Sequence, residues 1–189
     1  MDEEIQEFIE QGRREHREKV FFIEQGLGAE VHWFFTQAVQ ALKSELYQPA
    51  CTSFLNCIEA SLRVTMSQVD APARVEELEP AKTLSNRLLK WAHDAGLPVE
   101  SLTFPSENNF LEKLESKRPN IIYTEVVRIR HNLCHGNILE YVNTELGDDN
   151  AFFTPECCRE LAHQLHEVSK EWARQLGLFR QGPLAFHSR

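Results

Sequence analysis

Ten consecutive residues, Arg128-Ile129-Arg130-His131-Asn132-Leu133-Cys134-His135-Gly136-Asn137, hold two guanidinium groups, two imidazoles, two carboxamides and a thiol. An imidazole with an ordinary pKa of ~6.5 exchanges protons near neutral pH. A guanidinium stays charged and offers a planar fork of donors that fits phosphate or carboxylate oxygens. Together they suit acid–base chemistry on an anionic substrate with no metal supplied. The plainer account is a solvated helix face beside an apolar stripe from Ile122 to Leu133, with Gly136 as a packing or bending position.

Helical spacing sorts these groups. At 100° per residue, Arg130 and His135 lie about 140° apart on an ideal helix and do not share a face. Arg128, Asn132 and His135 do share one, with His131 beside it. Arg128 is therefore a candidate for phosphate positioning, and Asn132 could orient His135 or the phosphate. His131 and His135 are four residues apart, a spacing that can serve a metal, but no Glu follows His131 and no third ligand is fixed by spacing. His163 and His166 are expected on the solvent side of the last helix, opposite the Leu161 to Trp172 stripe, so no metal or other cofactor is expected. Neighbouring helical residues point about 100° apart, which places Cys134 poorly as a nucleophile for His135 and favours a small buried side chain. Elsewhere Glu59 precedes Arg63 by four residues, which suits a surface ion pair, although a polar group from that helix could also face an active cleft.

The elements that must position these groups read as helices throughout. Charged, helix-favouring sequence runs from Ile5 to Gln25 and breaks at Gly26 and Gly28. Val31, Phe34, Phe35, Ala38, Leu42 and Leu46 form one apolar stripe, and Phe54, Ile58 and Leu62 another behind Pro49. The stretch from Val69 to Pro119 is broken by Pro72, Pro80, Pro98 and Pro105 and reads as an insertion with a helix over about 80–95 and a shorter one after Ser106. Pro119 opens a segment carrying Ile122, Val126, Ile129 and Leu133 that is expected to stay helical to about Asn143. Thr154 and Pro155 then start a last helix lined by Leu161, Leu165, Val168, Trp172 and Leu176. No segment alternates with period two. The expectation is all-α: an antiparallel four-helix bundle near residues 28–46, 49–67, 120–143 and 154–176, with an additional N-terminal helix and the helical insertion, all in one domain spanning residues 1–189.

Composition bounds the function. The 189 residues form enough chain for one domain with a sizeable core. Twenty Lys and Arg against 29 Asp and Glu give a formal charge of −9, which argues against a broad duplex-coating basic face but leaves room for a local basic site. Acids crowd the first ten residues where a signal peptide carries Lys or Arg, and no uncharged apolar run nears the roughly 18 residues of a membrane span. Five cysteines without a C-x-x-C pair fit neither a disulfide framework nor a thiolate zinc site, with Cys157 and Cys158 expected to be structural. A soluble protein of the reducing cytoplasm is the expectation. The tail from Trp172 to Arg189, with Arg174, Arg180 and Arg189 and no acid, reads as a solvated end, and Asp2, Glu3, Glu4, Glu7 and Glu10 as a solvated face able to meet a basic partner.

Arg130-His131-Asn132-Leu133-Cys134-His135 resembles the R-x4-6-H motif of the HEPN superfamily (higher eukaryotes and prokaryotes nucleotide-binding), in which a polar residue commonly follows the Arg; His131 occupies that place. The motif falls on the third main helix, as in HEPN domains, and the resemblance covers about Gly28 to Gly177 apart from the insertion. It implies a metal-independent endoribonuclease of toxin or defence type, with Arg130 and His135 catalytic and with Arg128, His131 and Asn132 in support. His135 would serve as general base or acid, and Arg130 would hold the scissile phosphate. It further implies an RNA substrate, a homodimer in which two motif helices line one cleft across a two-fold axis, and an antitoxin or nucleotidyltransferase partner. The alternative is a non-catalytic HEPN-like dimer that binds nucleotides or a partner protein.

Overall fold

The computed structural model of the protein describes residues 3–71, 75–80 and 82–182. Among them are seven α-helices: α1 (Glu3–Glu24), α2 (Ala29–Lys43), α3 (Tyr47–Asp70), α4 (Asn86–Asp94), α5 (Phe110–Glu115), α6 (Glu125–Cys134) and α7 (Arg159–Gln181), with short 3-10 turns between the later ones. The described residues contain no β-strand, only one isolated bridge between Asn143 and Phe152. The all-helical reading holds, and no described helix is long and apolar enough to cross a membrane.

The apolar stripes explain the packing. Phe54, Leu55, Ile58 and Leu62 of α3 are fully buried, as are Phe35 and Ala38 of α2 and Leu165, Trp172 and Leu176 of α7. Helix α3 lies at the centre, in contact with α2, α6 and α7. One polar pair is buried with this core: Trp172 Nε1 donates to Ser61 Oγ at 2.8 Å, so the indole leaves water without losing its hydrogen bond. Helix α1 joins α2 at one end, where the Phe22 and Phe35 rings stack at 4.6 Å, while residues 5–18 are all exposed.

The stretch read as an insertion contributes to the same core. Leu84, Leu88, Leu89, Leu97, Leu102 and Phe104 are buried in one cluster with Trp172, and the 3-10 turn Val99–Leu102 packs on α7. Helix α5 follows Ser106 as expected, and α4 lies within the expected 80–95 but starts only at Asn86, where Ser85 caps it by accepting the Leu88 N–H.

Further expectations need correcting. Helix α6 begins at Glu125, not near Pro119, and ends at Cys134, not near Asn143. Its end is a Schellman closure: Gly136 has φ +72°, its N–H donates to Leu133 O at 3.3 Å, and Asn137 N–H donates to Asn132 O at 2.8 Å. The left-handed conformation that Gly136 permits stops the helix and leaves His135 just beyond it. Arg180 is not part of a solvated tail. It is half-buried on α7 and donates to Thr65 Oγ1 at 3.1 Å and Gln68 Oε1 at 2.6 Å. His166, expected on the solvent side, has a side chain only 13% exposed, set against the Phe54 ring at 5.5 Å. Asp2 and Arg189 lie outside the described residues.

Candidate active site

The start of the motif helix is built by the insertion. Thr124 is fully buried as the N-cap residue of α6, and its N–H donates to Asn86 Oδ1 at 3.0 Å. The Asn86 amide in turn donates to Lys113 O at 3.0 Å and Ile122 O at 2.8 Å. Glu107, buried and paired with Lys113 at 2.7 Å, accepts the Glu125 N–H at 3.0 Å and so satisfies a donor of the first turn. Two side chains from the insertion thus fix where α6 begins and the direction in which it presents its motif.

The motif residues divide into three groups. Arg130 reaches inward to α3, where its Nε lies 3.4 Å from Glu59 Oε2 in an ion pair outside hydrogen-bond geometry. Glu59 also lies 3.6 Å from Arg63 and accepts the Leu84 N–H at 2.8 Å. The expected Glu59–Arg63 pair is therefore present, and the same carboxylate meets the motif. The terminal nitrogens of Arg130 make no hydrogen bond among the described residues.

Arg128 points elsewhere and is fully engaged. It donates to Glu125 at 3.0 and 2.5 Å and pairs with Glu140. Glu125 raises its pKa first, burial opposes this, and Glu140 adds to the rise. Asn132 Nδ2 donates to the same Glu140 at 2.9 Å, so Arg128 and Asn132 share one partner, as their common stripe foretells. Burial raises the Glu140 pKa, but Tyr141, Asn132 and Arg128 outweigh it and hold the carboxyl below its ordinary value. The Tyr141 hydroxyl is buried near this carboxylate but outside hydrogen-bond geometry; burial first, and then Glu140, push its ionisation up.

The imidazoles form a third group. His131 and His135 stack with ring centroids 5.9 Å apart, and Tyr123 lies against His131 at 5.2 Å. Burial, then Arg130 and His135, lower the His131 pKa, which favours a neutral ring able to accept a proton. His135 is exposed at the end of the helix. Cys134 is exposed too, contrary to its expected burial, because α6 ends there and the residue faces outward.

Sequence reasoning singled out Arg128, Arg130, His131, Asn132, His135 and Glu59, but not Glu125, Glu140 or Tyr123. Glu125 and Tyr123 stand at the N-terminal boundary that the expected helix start misplaced. Glu140 sits on a 3-10 turn, Leu139–Tyr141, which returns to α6 only because Gly136 ends the helix. Among the described residues no group of three or more His, Cys, Asp and Glu side chains is placed to hold a metal. The vicinal cysteines are structural: Cys158 is buried, and Cys157 Sγ accepts the Thr154 N–H at 3.5 Å in the cap before α7. No known protein family, curated protein or solved structure matches this chain.

Proposed function

We propose that the protein is a metal-independent endoribonuclease of the HEPN kind, acting in toxin or defence biology, with α2, α3, α6 and α7 as the four helices of an antiparallel bundle. The observation that carries this reading is the contrast between the two motif arginines. Arg128 spends its fork on Glu125 and Glu140, whereas Arg130 is held through Nε by Glu59 and keeps its terminal nitrogens for an anion. Arg130 holds a phosphate oxygen and stabilises the charge that develops on the phosphorane. The substrate's 2′-hydroxyl attacks phosphorus, its proton passes to an imidazole, and the P–O5′ bond breaks as the leaving oxygen takes a proton. The products are a 2′,3′-cyclic phosphate and a 5′-hydroxyl. His135 and its neighbour His131 supply the base and acid.

The reading includes a homodimer. Arg130 turns toward α3 while His135 is exposed beyond the helix end, so a second copy supplies the complementary group to one phosphate. Ile122 and Tyr123 before α6 and Leu139 after it are exposed apolar groups suited to that contact. An antitoxin or a nucleotidyltransferase is the partner class this reading carries.

A second reading is favoured by Glu125 and Glu140. Their carboxylates neutralise Arg128 beside the motif, which suits a non-catalytic dimeric module for nucleotides or a partner protein. Cleavage of a mixed RNA pool in the presence of chelator, followed by end-group analysis, separates the two. Wild type should cut RNA and spare DNA, and His135→Ala should lose about 10²–10⁴ in rate with its helical spectrum intact. Arg130→Ala should be nearly as damaging. Equal inactivity of wild type and His135→Ala on every RNA, with a nucleotide or protein bound by the wild-type dimer, would establish the binding module instead.

A further inference from the structure

On the face of α3 next to the one that carries Glu59 and Arg63, a cleft of about 550 Å³ opens between α2, α3, the C-terminal end of α7 and the segment 75–78. Its size falls in the range of about 300–1,000 Å³ usual for small-molecule sites. Val31, Phe34, Ala60, Val64 and Leu78 make its walls largely apolar. At one side stands Arg180, whose guanidinium bonds only to neutral oxygens, those of Thr65 and Gln68. No carboxylate lies within 4.0 Å of it among the described residues, in contrast to Arg63, Arg128, Arg130, Arg159 and Arg174, which all have one. Burial depresses the Arg180 pKa, and no ion pair among the described residues offsets that cost. A half-buried cation at the edge of an apolar cleft is therefore short of a counter-charge.

We propose that this cleft binds a small apolar monocarboxylate, with its hydrocarbon body along Val31, Phe34 and Val64 and its carboxylate on Arg180. The charge count selects the class. Arg180 is the one cation in the lining, too few for the several charges of a polyanion such as a nucleotide, while Glu76 and Glu77 on the segment side are exposed. A single carboxylate needs only the one guanidinium, and exposed charges are screened by solvent while the half-buried Arg180 is not. The apolar walls demand a hydrophobic body, which excludes small hydrophilic acids. The site is independent of the ribonuclease reading, because Ala60 and Val64 are turned about 100° around α3 from Glu59 and Arg63, and neither Glu59, Arg130 nor His135 lines it.

Calorimetric titration of the intact protein with decanoate tests this, with decanol, decyltrimethylammonium and inorganic phosphate as comparisons. Decanoate should bind saturably at one site per chain, and decanol and the cation more weakly by about tenfold or more. Phosphate alone should not bind. Arg180→Gln should weaken decanoate by about tenfold while leaving decanol unchanged. Val64→Trp, which puts an indole into the cleft and leaves Arg180 itself in place, should abolish saturable binding, and it decides the matter if Arg180→Gln loses its helical spectrum. No saturable decanoate binding, equal binding of decanol, or binding undisturbed by Val64→Trp would overturn the assignment.

Discussion

Glu59 Oε2 lies 3.4 Å from Arg130 Nε and also accepts the Leu84 N–H at 2.8 Å, so one carboxylate of α3 ties the motif helix to the segment leading into α4. Its side chain is only 14% exposed. At that burial the attraction within the pair roughly offsets the desolvation of its members. The larger consequence is what removal leaves behind: the Leu84 N–H with no acceptor and the Arg130 guanidinium with no counter-charge, while Arg63 loses its counter-charge but keeps its bond to Glu79 O at 2.6 Å.

Glu59→Ala should therefore cost about 1–3 kcal/mol in urea unfolding, mostly through the unsatisfied Leu84 N–H and the stranded charges of Arg63 and Arg130. Glu59→Gln keeps an acceptor for Leu84 and should cost less. Equal losses for the two variants would show that the charge matters and the acceptor does not.

Asn86 holds Lys113, Ile122 and Thr124 at once, two bonds donated and the Thr124 N–H accepted. Asn86→Ala should destabilise the protein by about 2–3 kcal/mol, since it strands several buried polar groups together. Hydrogen exchange should then rise first at the amino end of α6. Exchange that rises uniformly along the chain would mean that Asn86 does not anchor that helix separately.

How much of this was legible in the sequence differs by residue. The stripes of α2, α3 and α7 were readable because each buries one broad face, which periodicity reports directly. The end of α6 is masked although its sign is present: Gly136 directly after His135 is a C′ glycine in a Schellman closure, and the apolar residues beyond it, Ile138 and Val142, imitate a continuing stripe. The start of α6 was misplaced for a different reason. Thr124 caps it, but what fixes it there are bonds from Asn86 and Glu107, 38 and 18 residues earlier, and no local pattern encodes contacts of that range. Glu140 is hidden for a local reason: it returns to Arg128 and Asn132 only because Gly136 ends the helix. The filled fork of Arg128 depends on Glu125 and Glu140, both nearby in the chain, whereas the ion pair of Arg130 depends on Glu59 of α3, which no local pattern encodes.

Gly177 on α7 marks a close approach. A Cβ built there would stand 2.6 Å from the carbonyl oxygen of Gln25, in the link between α1 and α2. Alanine in a helix gains about 0.5–1 kcal/mol over glycine, but overpacking against backbone typically costs about 1–3 kcal/mol, so the clash wins. Gly177→Ala should lower stability by about 1–2 kcal/mol, and Gly177→Val by more. A stabilised Gly177→Ala would show that the α1–α2 link yields easily.

His166 gives the pH dependence its sign. Burial lowers its pKa, and although Glu167 and Glu18 pull the other way, burial is the larger effect. His131 is lowered for the same first reason. The unfolded chain, whose histidines titrate near ~6.5, therefore binds protons that the folded state refuses, and stability falls as pH drops from there toward the folded pKa values. Below those values the histidine contribution levels off. Glu18 and Glu140 work in another window: their folded pKa values lie below the ordinary 4.5, so their stabilisation is lost only on further acidification. Urea midpoints should thus decline from about pH 7.5 to about pH 5.5, well above the carboxylate range. His166→Phe, which keeps a ring against Phe54, should flatten that decline, and His131→Asn should remove a further part. An unchanged slope in His166→Phe would mean that the protonated ring is accommodated beside Glu18 and Glu167, and that burial is not what sets its charge.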